Sequence, residues 1–182
     1  AVTRGANFPA NKDNVLQKGD IFRVDMGCSI NGYHADVCKS GCVGAEPTAE
    51  HRKRYDAIQA GVLKSVEALK PGARPQELYE TMIAGVRANG LPNYSNFFLG
   101  HTIGLEAREF PFLLGPAEHV DDPFLRNTTN IPMEAGMTVN LEASNHEAGW
   151  GTVQVEYTCA VTENGHEHLI QPDQRLMTLP LH

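Results

Sequence analysis

Alternating apolar and polar residues mark four candidate strands, over residues 21–27, 33–40, 137–143 and 152–161. In the first of them Phe22, Val24 and Met26 fall on one face, which is the pattern of a β-strand. Asn31-Gly32 lies between the first two segments and is a strong signal for a two-residue hairpin turn. The pattern therefore predicts one β-hairpin near the start of the chain and a second one near its end.

Apolar residues at spacings of three and four predict two helices between these hairpins, over residues 48–69 and about 75–89. Thr48 is a suitable N-cap for the first helix, and Pro71-Gly72 ends it. Gly90 stands at the C-terminal cap position of the second helix.

The rest of the chain shows weaker patterns. Residues 91–136 are rich in Gly, Pro and Asn, which predicts loops around short strands. Near the end, Asn164-Gly165 indicates a turn before a short strand over residues 168–170. The order of hairpin, helices, loops and hairpin predicts an α+β fold with a mostly antiparallel sheet and helices on one face.

Composition places the chain among ordinary globular proteins. It has 182 residues, of which 41% are hydrophobic and 20% are charged, so residues 1–182 are interpreted as one domain with its own core. The chain begins at Ala1 without an initiator Met, and we expect an N-terminal part to be absent. The four cysteines form no CxxC pair, and the sequence favours four buried, reduced thiols in a cytoplasmic protein.

The charge balance narrows the possible partners. Fifteen Lys and Arg against 22 Asp and Glu give a net charge of −7, and the longest basic run is the three residues Arg52-Lys53-Arg54. A nucleic-acid or anionic-membrane surface is therefore not expected. The longest uncharged stretch, residues 88–105, contains Pro92 and lacks the roughly 20 apolar residues that span a bilayer.

Candidate chemistry begins with two aspartates on the first predicted hairpin. If Asn31-Gly32 forms the turn, residue 25 opposes residue 38, and Asp25 and Asp36 share a face as diagonal neighbours about 7–8 Å apart. Gly27 then opposes Asp36 and leaves space beside it. Two carboxylates in this arrangement can converge on one cation.

The second predicted hairpin carries a similar pair, Glu142 and Glu156, on its polar faces. A solvated face is the simpler interpretation of a single acid. However, the polar rows of the two hairpins contain Thr, Asn, Gln and Cys but almost no Lys, which commonly covers exposed strands. We therefore expect the four acids to face a shared site, where a cation must offset their repulsion.

His101 adds a possible nitrogen ligand, because it stands in a glycine-flanked loop with the sequence GHTIG. Four carboxylates and an imidazole suit two divalent ions, of which Mn²⁺ is favoured and Co, Zn or Fe are alternatives. Two ions about 3.5–4 Å apart can ionise a water molecule and polarise a carbonyl group, which is hydrolytic chemistry.

At these positions the sequence resembles a known family. Five motifs are similar to the metal-ligand motifs of the pita-bread metallopeptidases, family M24. They are VDMG around Asp25, AD at Asp36, GHTIGLE at His101, NLEA at Glu142 and VQVEYT at Glu156. This family includes methionine aminopeptidases, Xaa-Pro aminopeptidases, prolidases and creatinase. The segments KPG, EFP, EAGM and VTENG resemble the Xaa-Pro aminopeptidase and prolidase branch best.

The resemblance implies two pseudo-symmetric halves enclosing a dimetal site with five ligands, Asp25, Asp36, His101, Glu142 and Glu156. Asp36 and Glu156 would bridge the ions, and Glu142 would also handle the proton of the bridging water as a catalytic residue. A metal-bridged hydroxide would attack the amide carbonyl of a small Xaa-Pro-like peptide. Family members are commonly dimers, so a homodimer is an open expectation.

Two residues depart from the family pattern. Arg108 stands where the peptidases usually have a His seven residues after the ligand His, and Phe8 stands where another His is usual. Arg108 is better suited to holding a substrate carboxylate than to moving protons, although a salt bridge to Glu106 or Glu109 is an equal alternative.

Two further residues are candidates for substrate contact. His34 shares a face with Asp36, and Trp150 lies in the loop between the strands of the second hairpin, where it would either line the pocket or pack. The departures leave two alternative functions open, namely a pita-bread enzyme that hydrolyses or eliminates a small non-peptide substrate and a non-catalytic binding module.

Overall fold

The computed structural model describes residues 15–115, 119–170 and 175–180. Within these residues the helices and strands follow in the order β1 Ile21–Ile30, β2 Tyr33–Val43, α1 Ala49–Ala68, α2 Pro75–Ala88, β3 Phe98–Thr102, β4 Glu109–Leu114, α3 Pro123–Thr128, β5 Thr138–Glu147, β6 Gly151–Thr162, β7 Gly165–His168 and β8 Met177–Leu179. The predicted α+β class with two antiparallel hairpins is confirmed.

The first hairpin has the register that its turn residues predict. Asn31 has φ 52° and Gly32 has φ 88°, as expected for the primed turn that joins two twisted strands. Ile30 consequently pairs with Tyr33, and Gly27 pairs with Asp36. The side chains of Asp25 and Asp36 therefore share one face of the hairpin.

The strands form two sheets, whereas the sequence predicted one. In the first sheet β8 pairs in parallel with β2, in the order β1-β2-β8. In the second sheet the order is β4-β3-β5-β6-β7, and its described strand pairs are antiparallel. The division into two sheets depends on contacts between distant parts of the chain, which a local pattern does not encode.

Both predicted helices are confirmed. The Thr48 hydroxyl caps α1 by accepting from the backbone N–H of His51 at 3.2 Å, and His51 Nδ1 accepts from Thr48 N at 3.3 Å. Pro75 opens α2, and Gly90 follows its end with φ 119°. Helices long and apolar enough to cross a bilayer are absent from the described part of the chain.

The core lies between these helices and the second sheet. One apolar cluster contains the inner faces of α1 and α2 and the residues of β5 and β6 that point toward them. The strand residues are Val139, Leu141 and Ala143 on β5 and Val155 and Tyr157 on β6. Because side chains alternate along a strand, the polar residues of β5 and β6 point away from the helices. They face the first hairpin instead, and that placement creates the candidate site.

Two predictions in the later part of the chain are corrected. The short helix α3 lies within a segment predicted as loops around strands, and its N-cap Asp122 accepts from the backbone N–H of Phe124 at 2.8 Å. Thr162 pairs with Gly165, so the turn residues are 163–164, and β7 begins at Gly165 instead of residue 168. Because the turn after β6 has only two residues, strand pairing resumes at Gly165, three residues before the predicted start of β7.

The prediction of four buried thiols is wrong for Cys28. All four cysteines are free, but Cys28 is exposed while the other three are buried. Cys28 lies on the same face of β1 as Val24 and Met26, which are 37% and 52% exposed. The apolar alternation of β1 therefore marks a face that the described residues leave open to solvent.

Candidate metal centre

Direct contacts between β2 and β6 bring the two hairpins together. The Ser40 hydroxyl donates to the backbone oxygen of Gln154 at 3.0 Å and accepts from its N–H at 2.9 Å. Further along, the Thr158 hydroxyl donates to the Asp36 carbonyl at 3.1 Å. These bonds hold the polar face of the first hairpin against the polar face of the second.

All five residues expected from the sequence as metal ligands meet at this junction. Carboxylate oxygens of Asp25, Glu142 and Glu156 lie within 4.8 Å of one another. His101 Nε2 lies 3.6 Å from Asp36 Oδ2 and 3.8 Å from Glu142 Oε1. The acids therefore form one cluster with the imidazole at one end of it.

The backbone around His101 aims the imidazole into the cluster. Gly100 has φ 150°, and a Cβ there would lie 2.4 Å from the backbone oxygen of Asn140 on β5, so only glycine allows this approach of the strands. The fully buried His101 ring donates from Nδ1 to the Thr102 carbonyl at 2.9 Å. The other ring nitrogen, Nε2, then faces the acids.

Two amide side chains, which the sequence analysis did not single out, complete the cluster. Gln154 Nε2 donates to Glu142 Oε2 at 2.7 Å, and it lies 3.3 Å from Asp25 Oδ2 and 3.4 Å from Glu156 Oε2. Asn140 Nδ2 donates to Glu156 Oε1 at 3.0 Å. The signal was present in the sequence, because Asn140 and Gln154 each stand two residues before one of the glutamates.

Arg23 is a third residue of the cluster that was not predicted from the sequence. Its side chain is 8% exposed, Nη1 donates to Gln154 Oε1, and Nη2 lies 3.6 Å from Asp25 Oδ2. Arg23 precedes Asp25 by two residues, so the same alternation places both on one face of β1. The cluster thus contains one buried cation of its own.

The positive charges near the cluster do not fully offset the burial and mutual repulsion of its carboxylates. Burial, with the nearby charges of Asp36 and Glu142, raises the pKa of Glu156 to about 9. Burial also raises the pKa of Glu142 to about 7, although the charge of His101 opposes the shift. The hydrogen bond to His101 lowers the pKa of Asp36, whereas burial raises the pKa of Asp25. Four carboxylates and one imidazole are a donor set that fits divalent cations.

Arg108 lies beside this centre without the expected salt bridge. Its guanidinium carbon lies 5.3 Å from the centroid of Phe98, and the Phe98 ring stacks on His101 with centroids 5.9 Å apart. Among the described residues Arg108 makes no ion pair within 4.0 Å, and Glu109 instead accepts from the backbone N–H of Glu106. An exposed cation is therefore available next to the cluster.

The remaining candidates lie in different surroundings. His34 shares the inner hairpin face with Asp36, and its backbone N–H donates to Gly104 O at 2.8 Å. Trp150 is not brought to the cluster, because it packs 4.3 Å from the Arg54 guanidinium and 5.4 Å from the His51 ring. The β5–β6 turn that carries Trp150 is five residues along the strands from the glutamate pair, about 16 Å away. Phe8 lies outside the described residues.

Comparison with known proteins gives a consistent result. The family described as metallopeptidase family M24 matches residues 3–163. An Xaa-Pro dipeptidase from Pyrococcus furiosus is 28% identical over 165 residues, which are 91% of this chain and 44% of that protein. The chain thus spans less than half the length of this relative.

Solved structures agree on the fold. A dipeptidase from Mycobacterium ulcerans superposes with a TM-score of 0.80 at 27% identity. The match covers 93% of this chain and 43% of the dipeptidase chain. A prolidase from Pyrococcus furiosus superposes with a TM-score of 0.77 at 26% identity. This match covers 90% of the present chain and 44% of the prolidase chain. These likenesses support the predicted pita-bread fold for the segment described here.

Proposed function

Because this chain belongs to metallopeptidase family M24, we propose that its carboxylate cluster holds two divalent metal ions and hydrolyses the amide bond of a small Xaa-Pro-like peptide. The proposed ligands are Asp25, Asp36, His101, Glu142 and Glu156. The observation that carries the proposal is the convergence of four carboxylates and one imidazole, in which burial raises the pKa values of both glutamates.

The ligand set favours Mn²⁺, since four of its five donors are carboxylates. When bound, such ions lower the pKa of water and polarise a carbonyl group. The protein supplies the geometry. Thr102 fixes the His101 ring through Nδ1, and Asn140 orients the Glu156 carboxylate by donating to Oε1. Asp36 and Glu156 would serve as the ligands that the two ions share, as the family resemblance implies.

Glu142 is the proposed general base. Its carboxyl is largely buried and lies among the other carboxylates of the cluster, where the attacking water would be held. In the proposed reaction Glu142 Oε1 or Oε2 accepts a proton from the attacking water and later gives it to the leaving nitrogen. Gln154 holds this carboxylate in place through its 2.7 Å hydrogen bond to Oε2.

Arg108 and His34 are the proposed substrate contacts. The Arg108 guanidinium is exposed and lies over Phe98, and it is one of the nearby positive charges that favour the ionised forms of Asp36 and Glu142. A guanidinium so placed can bind a carboxylate or a carbonyl oxygen of the substrate. His34 lies on the same hairpin face as Asp36, which places it on the side of the cluster. Trp150 has no place in this proposal, because it packs against α1.

The test is metal stoichiometry followed by catalysis. The protein is stripped of metal, equilibrated with Mn²⁺, freed of excess and analysed for ions per chain, and it is then assayed with Xaa-Pro dipeptides. Asp36→Ala and Glu156→Ala are expected to lose metal binding and hydrolysis together. Asp56→Ala is the matched control, because Asp56 is an exposed acid on α1. Full metal occupancy in either ligand variant contradicts the assignment.

A second candidate function is hydrolysis of a small non-peptide amide at the same site. It is favoured by Arg108, a fixed cation where the sequence resemblance leads one to expect an imidazole. The same Mn²⁺-loaded preparation is therefore screened against small acidic amides in parallel with the dipeptides. Efficient turnover of Xaa-Pro dipeptides contradicts this second candidate.

A further inference from the structure

A row of aromatic rings leads away from the metal cluster along one edge of the second sheet. Phe112 on β4 pairs with His101 on β3, so its side chain lies on the same face of the sheet as the imidazole. β4 is an edge strand of this sheet, and α3 follows it along the chain. The row therefore runs from the cluster toward the margin of the sheet.

Each ring in the row packs against the next. Phe98 stacks on the His101 imidazole with centroids 5.9 Å apart, and the Phe112 ring lies 5.8 Å from Phe98. Phe110 lies 4.4 Å from Phe112, and Phe124 of α3 meets Phe110 edge-on at 5.0 Å. Such tilted and edge-on pairs are the arrangements that aromatic rings favour. Phe98, Phe110, Phe112 and Phe124 thus form a continuous aromatic strip.

The outer end of the aromatic strip is exposed, although its backbone is fixed. Phe110 is 44% exposed and Phe124 is 62% exposed. Asp122 holds the start of α3, because its carboxylate accepts from the backbone N–H groups of Phe124 at 2.8 Å and Leu125 at 3.2 Å. Large apolar groups that stay open to solvent beside a group of polar side chains are typical of ligand-binding surfaces. The strip therefore offers a fixed contact surface for an apolar group.

Arg108 adds a charge to the inner end of the strip. Its guanidinium carbon lies 5.3 Å from the centroid of Phe98, and it is one of the positive charges near Asp36 and Glu142. A guanidinium pairs well with a carboxylate. A substrate residue whose carboxylate binds Arg108 therefore has its own side chain next to the strip. The compact ring of proline covers less of this surface than the side chain of leucine or phenylalanine does.

We propose that the aromatic strip binds the side chain of the carboxylate-bearing residue of the substrate, so that dipeptides ending in a large apolar or aromatic residue are preferred to those ending in proline. This inference rests on the proposed function, because it names the substrate class of the same site. Phe110 and Phe124 determine the preference, since the ligand covers their exposed surface. Phe98 and Phe112 connect these two rings to His101.

The first experiment measures kcat/KM of the Mn²⁺-loaded protein for four dipeptides with the same first residue, Ala-Pro, Ala-Ala, Ala-Leu and Ala-Phe. It compares the unaltered protein with Phe110→Ala and Phe124→Ala, and with Phe124→Leu, which keeps an apolar side chain. Phe97→Ala is the matched control, because Phe97 is 50% exposed and is not one of the rings of the strip. Circular dichroism identifies the variants that fold, and two separate ring deletions guard against the failure of one.

We expect kcat/KM for Ala-Phe to exceed the values for Ala-Pro and Ala-Ala by at least about 10-fold, because an aromatic side chain buries more apolar surface on the strip. Phe110→Ala and Phe124→Ala should each lower the value for Ala-Phe by about 3- to 10-fold, the range for one aromatic pair. The value for Ala-Ala should change by less than about 2-fold, since a methyl group does not cover the outer rings. Phe124→Leu should retain most of the preference, and Phe97→Ala should retain all of it.

A binding measurement separates the strip from catalysis. Calorimetry on the metal-free protein compares N-acetylphenylalanine with N-acetylalanine, which carry the same carboxylate and differ by one phenyl ring. The aromatic ligand should bind at least about 5-fold more tightly. Both ring deletions should reduce this difference, whereas Phe97→Ala should preserve it.

Three results overturn the inference, and they differ in what else they contradict. Equal kcat/KM for Ala-Phe and Ala-Ala, or equal losses on both in the ring deletions, leaves the proposed hydrolase standing. Failure to hydrolyse any dipeptide contradicts the proposed function, and equal binding of the two acetylated ligands then overturns the strip as well. A dimer in sedimentation velocity that dissociates in Phe124→Ala assigns the strip to contact between two copies of the chain instead of to substrate.

Discussion

Glu142 and Glu156 face each other directly across β5 and β6, and burial raises the pKa of the first to about 7 and of the second to about 9. Two buried acids in register disfavour ionisation unless a cation lies between them. The pair therefore links the pH dependence of folding to metal binding.

The first prediction concerns the metal-free protein. A carboxyl whose pKa is raised on folding contributes stability below its unfolded pKa of about 4.5, and that stability is lost as pH rises through the folded value. We expect the melting temperature to fall between pH 5 and pH 9. Saturating Mn²⁺ should flatten or reverse this slope, because metal ions bind the ionised carboxylates. Melting followed by circular dichroism measures both slopes.

Glu156→Gln is the control for that slope. Burial lowers the pKa values of His51 and His168, and these groups add stability as pH rises, so the comparison must isolate Glu156. Relative to the variant, the melting temperature of the unaltered metal-free protein should fall by at least about 5 °C from pH 5 to pH 9. A change of 1 kcal/mol in stability shifts the melting temperature of a domain of this size by about 2–4 °C. Parallel slopes in the two proteins would contradict the pKa shift of Glu156.

A second prediction concerns the glycine before the ligand histidine. Gly100→Ala should lower the free energy of unfolding by about 1–3 kcal/mol, because the new Cβ meets the backbone oxygen of Asn140 and φ is 150°. It should also weaken Mn²⁺ binding, since β3 must shift and carry His101 with it. Gly136→Ala is the matched control, with φ 93° and no atom within 4 Å of the new Cβ. Equal metal affinity in both variants would argue against a positioning role of Gly100.

The sequence could predict which acids share a strand face, because their spacing follows the two-residue period of strands. The Asn31-Gly32 turn sets the pairing of Gly27 with Asp36, and this local relationship survives in the structure. Arg23 and Gln154 share the same period, but their role arises only when β1 packs against β6. A pattern within one segment shows which face a residue occupies and cannot show which distant strand covers that face.

The position of Trp150 illustrates the same limit. A tryptophan in a turn between two ligand strands suggested a pocket wall, but its partners Arg54 and His51 come from α1, which contacts the β5–β6 hairpin from the other side. The position of α1 therefore determines that Trp150 packs against the helix instead of lining the site. Cys28 was misjudged for a related reason, because apolar alternation does not say whether a face is covered.

A third prediction uses the only tryptophan in the sequence as a probe. Trp150 emission should change when the protein unfolds and should stay constant when a peptide binds to the Mn²⁺-loaded site, which lies about 16 Å away along the hairpin. Trp150→Phe should reduce stability and leave the KM for peptides unchanged. A shift in emission that saturates with peptide concentration would restore the pocket-wall interpretation.

A fourth prediction follows from the cysteines. A thiol reagent at neutral pH should modify one thiol rapidly, because Cys28 is exposed and the other three are buried. Burial raises the pKa values of Cys38 and Cys42 and raises that of Cys159 to about 12, so their reactive thiolate forms are scarce. Cys28→Ser should remove the fast phase, and Cys42→Ser should retain it. Two or more fast thiols in the folded protein would contradict the burial of this part of the chain.

The last prediction concerns Arg108 and the substrate. Arg108→Gln should weaken hydrolysis of substrates with a free carboxylate next to the scissile bond by about 10- to 100-fold, the range for a charge-assisted hydrogen bond. Substrates whose carboxylate is capped as an amide should lose little, because they offer the guanidinium no charge. The guanidinium lies over Phe98 and outside the carboxylate cluster, so bound Mn²⁺ per chain should stay the same. Arg52→Gln controls for the removal of an exposed arginine. The comparison of kcat/KM for free-acid and amide substrates decides the matter, since equal losses on both would assign Arg108 to the reacting carbonyl instead of the substrate carboxylate.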